Sequence, residues 1–315
     1  MVSVDRRLSV TPFKKKGLLY QYWKHRYLLC LFIPAIIYYI IFKYGPMYGI
    51  QLAFKDYKFR LGITGSEWVG LQNFADLLQM QSFKEVFFNT IIISGYKLVF
   101  GFPAPIILAL LLNEVRHKYF KKTIQTISYL PHFLSWVILA GMFTQILSPS
   151  IGPINILFKS IGIKPIYFLG EEKWFRSVLV STGIWKGIGW GSIVYLAALS
   201  SISIELYEAA IIDGASRWKQ AWYITLPSLM PVITIMLILA AGGIIDDDFD
   251  QIFNMYNDAV YSVGDVISTY TYRRGLVNMQ YGFATAVSLF KNVISLVLIF
   301  ITNLISRRIN EYGIW

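Results

Sequence analysis

Residues 208–227 read EAAIIDGASRWKQAWYITLP and lie between two long apolar runs. Residues 204–213 are good helix formers, with Glu205, Glu208 and Ile212 spaced for one helix face. Asp213-Gly214 is a turn or C-cap signal. Ser216 is placed to cap a second short helix through 220–223, and Pro227 is read as its stop. Ala209, Ala210, Gly214 and Ala215 carry little side-chain bulk, so another backbone can approach closely. The pattern predicts a compact helical knuckle. It either docks into a groove on a partner or is a solvated loop.

The flanking chain decides what kind of protein carries it. Of its 315 residues, 56% are hydrophobic and only 15% charged, and its mean hydropathy is +0.52. A soluble domain carries about 25% charged residues. The apolar residues gather into six runs, 27–48, 87–112, 124–147, 177–200, 228–245 and 284–305. Each is long enough, at about 1.5 Å per residue, for a helix to cross roughly 30 Å of hydrocarbon. None alternates with the two-residue period of a barrel strand. Pro34, Pro46, Pro103, Pro105 and Pro131 fall within the runs, which membrane helices tolerate when neighbours satisfy the freed carbonyls. The expected fold is therefore an all-α, multi-pass membrane protein of six transmembrane helices. Its domains are a basic N-terminal segment, 1–26, and a six-span domain, 27–315, with the knuckle in a loop at about 201–227. The first apolar run is too long for a signal-peptide core and lacks a small-residue cleavage site, so it reads as a retained span.

Lys and Arg set the direction. Arg6, Arg7, Lys14, Lys15, Lys16, Lys24 and Arg26 precede the first run, and Arg116, Lys118, Lys121 and Lys122 fill the short loop after the second. With Arg217, Lys219, Arg307 and Arg308, one side holds 15 basic residues against 11 on the other. Both termini and the knuckle are thus expected in the cytoplasm. Loops 49–86, 148–176 and 246–283 face outward. Net charge is +11, but no basic stripe interleaved with exposed aromatics points to nucleic acid. Cys30 is the single cysteine and the three histidines are scattered, which leaves no disulfide framework and no paired His site.

The knuckle resembles the EAA motif, E-A-A-x3-G-x9-I-x-L-P, of permease subunits of binding-protein-dependent ABC importers. Glu208, Ala209, Ala210, Gly214, Ile224, Leu226 and Pro227 fill its seven defined positions. WVGLQNF (68–74) is similar to a stretch at the same place in sugar-type permeases. GFPAPIILALLLNE (101–114) and the closing NEYGIW (310–315) resemble the branch serving oligo- and polysaccharides, including the alginate importer. The resemblance implies the type I importer fold and a non-catalytic translocation subunit. In such importers this helix sits in a cleft of the ATPase, where Glu208 would pair with a basic group and Gly214 would give the sharp turn. It also implies a second permease subunit, an ATPase dimer and an extracytoplasmic binding protein. This chain has no G-x4-G-K-[ST], so ATP and its magnesium are expected on the partner ATPase, with no cofactor here.

Lys97, Lys186 and Lys291 lie inside spans, about 10–15 Å below the outer boundary. Charges at such depth mark a pathway or a paired site. One reading has them favour an anionic substrate, such as a uronate-containing saccharide. The other has their stems snorkel, or their ammoniums bond carbonyls freed by Pro103 or Pro105. Trp185 and Trp190 flank Lys186 and are placed to stack on sugar faces or to pack. GIGWG (187–191) lies mid-span with no preceding strand and reads as close helix packing. DDDFD (246–250) spaces Asp246, Asp248 and Asp250 as ligands for a hard cation or as a solvated acidic rim facing the binding protein. The competing functions are a permease for neutral oligosaccharides, a secondary carrier or channel, and a membrane-embedded enzyme. The spans lack the intramembrane carboxylates a proton- or sodium-coupled carrier uses, and they hold no Ser/His pair or metal cluster.

Overall fold

The computed structural model describes residues 23, 25–245 and 247–310, the side chains of 309 and 310 excepted. Asp246, residues 311–315 and most of the basic segment 1–26 lie outside them. Four helical stretches are long and apolar enough to cross a membrane: Arg26–Phe54, Gln81–Glu114, Arg217–Gly242 and Tyr281–Arg308. Two bent pairs, Lys118–Phe133 with Trp136–Ile146 and Glu172–Leu199 with Ile204–Ile212, raise the number to six when each is one span. Glu172–Leu199 alone has 28 residues, about 42 Å at helical rise. Its bent partner is the knuckle helix of the sequence reading.

The chain divides into two compact units, Met1–Gln51 and Leu52–Trp315. In the first, α1 (Arg26–Tyr39) contains Pro34 and buries no residue. An apolar helix with nothing buried draws its apolar surroundings from outside the chain.

The second unit opens with two short antiparallel strands, β1 (Lys55–Asp56) and β2 (Glu67–Trp68). Phe54 stacks on Trp68 with centroids 5.7 Å apart, and α2 (Gln72–Gln79) follows. Asn73 closes this corner by donating to Ala53 O at 2.9 Å and to Lys55 O at 3.2 Å. The second span is α3 (Gln81–Tyr96), a π turn at Lys97–Gly101 and α4 (Pro103–Glu114). Pro103 and Pro105 sit in the first turn of α4, where missing N–H groups leave few ladder bonds unmade.

The third span is not straight. α5 (Lys118–Tyr129) runs into a tight turn at Leu130–Phe133, and α6 (Trp136–Ile146) leaves at 105°. Pro131 removes a donor, Leu134 is extended, and Ser135 restarts the helix by accepting from the Ile138 N–H at 3.4 Å. The sequence shows one unbroken apolar run here because both arms are apolar.

The fourth span, α7 (Glu172–Leu199), packs along α4 and α5. A Cβ on Gly189 would lie 2.0 Å from Ser128 O, and one on Gly191 would lie 2.9 Å from Pro105 Cγ. GIGWG is therefore a site of close helix packing. After the knuckle helix α8 (Ile204–Ile212), the fifth span ends in α9 (Leu226–Gly242), which packs along α12 (Tyr281–Asn310).

The segment between them folds back into the helices. Its short helices α10 (Phe249–Met255) and α11 (Ile267–Tyr272) each bury one apolar face. Ile252, Met255, Val260 and Val266 join Leu139 of α6 and Phe175 and Leu179 of α7 in one core. Ile267 and Tyr270 join Phe83, Val86 and Val287 in another. Two ties order the fold-back, the first within it and the second joining it to α7. Asp265 accepts from Arg273 and, at 2.8 Å, from Thr269, and Arg176 donates to Asn89 Oδ1 at 2.7 Å and Val263 O at 3.1 Å.

Gly189→Val drives a side chain into the α5 backbone. It is expected to cost about 1–3 kcal/mol, read as a fall in the melting temperature of the purified protein. Gly187→Ala, where a Cβ meets nothing within 4 Å, is expected to leave it unchanged.

Candidate functional site

The knuckle is assembled from local signals. Ser203 caps α8 by accepting from the Glu205 N–H at 3.3 Å. At its other end the Ala215 N–H donates to Ala210 O at 2.8 Å and the Gly214 N–H to Ile211 O at 3.0 Å. This is the Schellman pairing, and it sets Gly214 at φ 72°. A Cβ on Gly214 would meet nothing within 4 Å, so the turn needs glycine for its backbone and not for space. Ser216 caps the next turn, Arg217–Gln220, accepting from the Lys219 N–H at 3.4 Å. Pro227 does not stop that helix. A π turn at Ala221–Thr225 carries the chain into α9, and Pro227 occupies the first turn of α9, where proline is tolerated.

Two contacts fix the knuckle to the spans. Tyr207 Oη and Thr225 Oγ1 are 2.9 Å apart, and Arg217 pairs with Glu114 at the end of α4 at 2.6 Å. α8 itself buries no residue. Glu208, Ala209 and Gly214 are exposed, Ala210, Ile224 and Leu226 are half-buried, and Pro227 is exposed. Ile204, Leu206, Ile211 and Ile212 are exposed too, Ile212 to 86%.

The second cluster is formed by the intramembrane lysines. Lys186 donates to Leu134 O at 2.8 Å and His132 O at 3.4 Å, the carbonyls released by the break between α5 and α6. Its ammonium also stands 5.1 Å from the Trp136 ring centroid. Lys97 donates to Gln251 Oε1 at 2.6 Å and lies 3.9 Å from Asp248 Oδ2. Lys291 lies 3.5 Å from Asp247 Oδ1, and Asp247 Oδ2 accepts from the Ser268 N–H at 2.9 Å. Burial pushes the Asp247 carboxyl up, against the pull of Ser268 and Lys291. The structure thus brings Lys97 and Lys291 to neighbouring aspartates and leaves Lys186 apart, at the helix break.

The tryptophans separate as well. Trp190 stacks on His132 with centroids 4.6 Å apart. Trp185 meets Phe143 edge-on at 5.5 Å and lines a cavity of about 480 Å³ with Phe168, Trp174, Ser181 and Thr182. Asp250 is exposed in the first turn of α10, and Asp246 is outside the described residues. Among those residues no three His, Cys, Asp or Glu side chains gather to hold a metal ion.

Gln251 and Asp247 were missed by sequence reasoning. Gln251 is fully buried and donates to Leu179 O at 2.7 Å and Thr182 Oγ1 at 3.0 Å. The available signal was charge balance. Three lysines in apolar helices require partners, and an acidic run begins where the fifth apolar run ends.

Residues 101–311 match the family described as the binding-protein-dependent transport system inner membrane component. The chain belongs to this family. It is similar to Protein LplB of Bacillus subtilis (strain 168), 42% identical over 292 residues that cover 93% of this chain and 92% of the relative. The polygalacturonan/rhamnogalacturonan transport system permease protein YteP of the same organism is 41% identical over 302 residues, covering 96% and 94%. A chain in the crystal structure of a bacterial ABC transporter involved in the import of the acidic polysaccharide alginate superposes with a TM-score of 0.87. That chain is 43% identical, and the match covers 94% of this chain and all of the other. The fold is accordingly that of the type I ABC importer permeases, and the chain is a multi-pass inner-membrane component.

Lys186→Met keeps the apolar stem and removes the donor. Loss of its bonds to two backbone carbonyls at the helix break is expected to cost about 1–3 kcal/mol. A lowered melting temperature of the purified protein checks this, and an unchanged one contradicts it.

Proposed function

We propose that the chain is a translocation subunit of an ATP-driven importer of oligo- or polysaccharide, without catalysis of its own. The observation that carries the reading is α8. It is a capped and bolted helix that buries nothing and exposes Ile204, Leu206, Ile211 and Ile212. Free apolar surface on a rigidly positioned helix calls for a groove on another chain. The resemblance of its seven EAA positions to the motif supports reading that groove as the cleft of an ATPase subunit. Glu208 projects from the exposed helix as an acidic partner for a basic group there.

ATP and magnesium belong to the ATPase dimer, because this sequence holds no phosphate-binding loop. A second permease subunit completes the pathway, and an extracytoplasmic binding protein delivers the sugar to the outer loops. The crystal structure of a bacterial alginate ABC transporter in complex with an alginate pentasaccharide-bound periplasmic protein contains a chain 42% identical to this one. That likeness supports the binding-protein assignment. The basic residues before the first span and in the short loop after the second support a reading with both termini and the knuckle in the cytoplasm.

In this reading closure of the ATPases moves α8, and the Tyr207–Thr225 and Arg217–Glu114 contacts pass the movement to α9 and α4. The two permease halves then rock between outward- and inward-open states. The substrate is an acidic saccharide, by analogy with the polygalacturonan and alginate systems and with the lysines within the spans. Neutral oligosaccharides are the second reading, since Lys97, Lys186 and Lys291 all have partners within the chain.

Gly214→Trp and Glu208→Lys are expected to leave the inserted protein at wild-type levels and to abolish ATP-driven sugar uptake by the reconstituted complex. Gly214→Asn, which tolerates a positive φ, is expected to keep most of it. Normal uptake by Gly214→Trp would contradict the coupling role.

A further inference from the structure

The partners of the three intramembrane lysines divide them. Lys186 is held by two backbone carbonyls, and Lys291 faces Asp247, whose side chain has no exposed surface and also accepts from Ser268. Neither arrangement can open without stranding a buried polar group. Lys97 differs. Its carboxylate, Asp248, stands at 3.9 Å, beyond hydrogen-bond reach, with 43% of its side chain exposed. The ammonium is aimed by Gln251, whose own amide is anchored to Leu179 and Thr182 of α7. Lys97 also lines a cavity of about 200 Å³ between its helix and α9, with Ser94, Leu98, Phe102, Ala240 and Gly243. The backbone turns from α to π geometry at this residue, a local irregularity that is frequent at functional positions.

We propose that Lys97 is the specificity-determining cation for a carboxylate of the transported sugar, and that Asp248 is the resident counter-ion which that carboxylate displaces. The proposal rests on the reading of the chain as a sugar-importing permease. A lone cation among apolar helices is costly, so the empty pathway requires a negative partner. Asp248 supplies the charge at 3.9 Å without a direct hydrogen bond. An incoming carboxylate keeps the site neutral and gains the charge-assisted hydrogen bond that Asp248 does not make. Asp248 then turns to solvent, which already reaches it. A neutral sugar has no charge to exchange and leaves the Lys97–Asp248 pair closed. Gln251 stays bonded throughout and is a positioning residue.

The test uses the complete importer in proteoliposomes with saturating binding protein. The probes are oligogalacturonate and oligoalginate, each beside its carboxyl-reduced neutral form, and the readout is the ratio of acidic to neutral uptake. Lys97→Met is expected to lower that ratio about tenfold, the loss of one charge-assisted hydrogen bond, and Lys97→Arg to preserve it. Asp248→Asn, which removes the competitor, is expected to hold the ratio at or above the wild-type value. Assembly is checked by size-exclusion chromatography, and Lys97→Gln, which keeps a donor toward Gln251, replaces Lys97→Met if that variant does not assemble. Equal loss of acidic and neutral uptake in Lys97→Met, or in Lys97→Gln where it stands in, would overturn the proposal, as would an unchanged ratio in that variant or a fallen ratio in Asp248→Asn. Uptake of neither sugar form by the wild-type importer would overturn the sugar-import reading itself.

Discussion

Polar groups held among apolar helices must find their partners within the protein, and this constraint shapes the structure at its deepest irregular points. Where Pro131 breaks the third span, the freed carbonyls of His132 and Leu134 are taken up by Lys186 from α7. Where the segment after α9 turns back, Asp247 meets Lys291 and the Ser268 N–H. Gln251, fully buried, has its amide nitrogen and oxygen engaged by α7 and Lys97. At these three places a charged or amide side chain from another helix is tied to the irregular backbone or its neighbour. The spans are held together by these ties as well as by the close approaches at Gly189 and Gly242.

Against that background α8 stands out by its place between spans. Most helices within the spans of the second unit bury residues against one another, whereas α8 buries none and presents isoleucine and leucine outward. Its ends are nevertheless fixed, by a side-chain cap and by a Schellman turn that only an unsubstituted backbone adopts easily, while Tyr207 bonds Thr225 in the π turn before α9 and Arg217 in the next turn pairs with Glu114 of α4. Rigidity at the ends combined with free apolar surface between them suits a part that transmits displacement. In the proposed reading Lys97 and α8 divide the work of an importer. Lys97 would meet the solute and α8 the motor, and α4, α7 and α9 are the elements that connect them.

Much of this was legible in the sequence, because the signals were local. Apolar run length gave the spans, Asp213-Gly214 gave the turn, and glycines in GIGWG gave a close packing site. What could not be read depended on distant contacts or on two local rules in competition. The Lys97–Gln251 bond joins residues 154 positions apart, and no spacing rule reaches that far. The apolar faces of α10 and α11 are only a few residues long, too short to show a period within a loop rich in polar residues. Pro227 has the form of a stop, but proline is equally at home in the first turn of a helix, and the preceding π turn decides between the two. The 105° bend at residues 130–135 was hidden because hydropathy records composition and not direction.

The central claim is that α8 is the surface through which ATP hydrolysis in another chain moves these spans. Hydrogen–deuterium exchange of this chain, in its membrane complex with and without the ATPase subunits, tests it most directly. The account predicts strong protection of the 204–215 amides when the ATPase is present, further altered by nucleotide binding. Exchange at 204–215 that is indifferent to the ATPase, with protection appearing on another face, would contradict it.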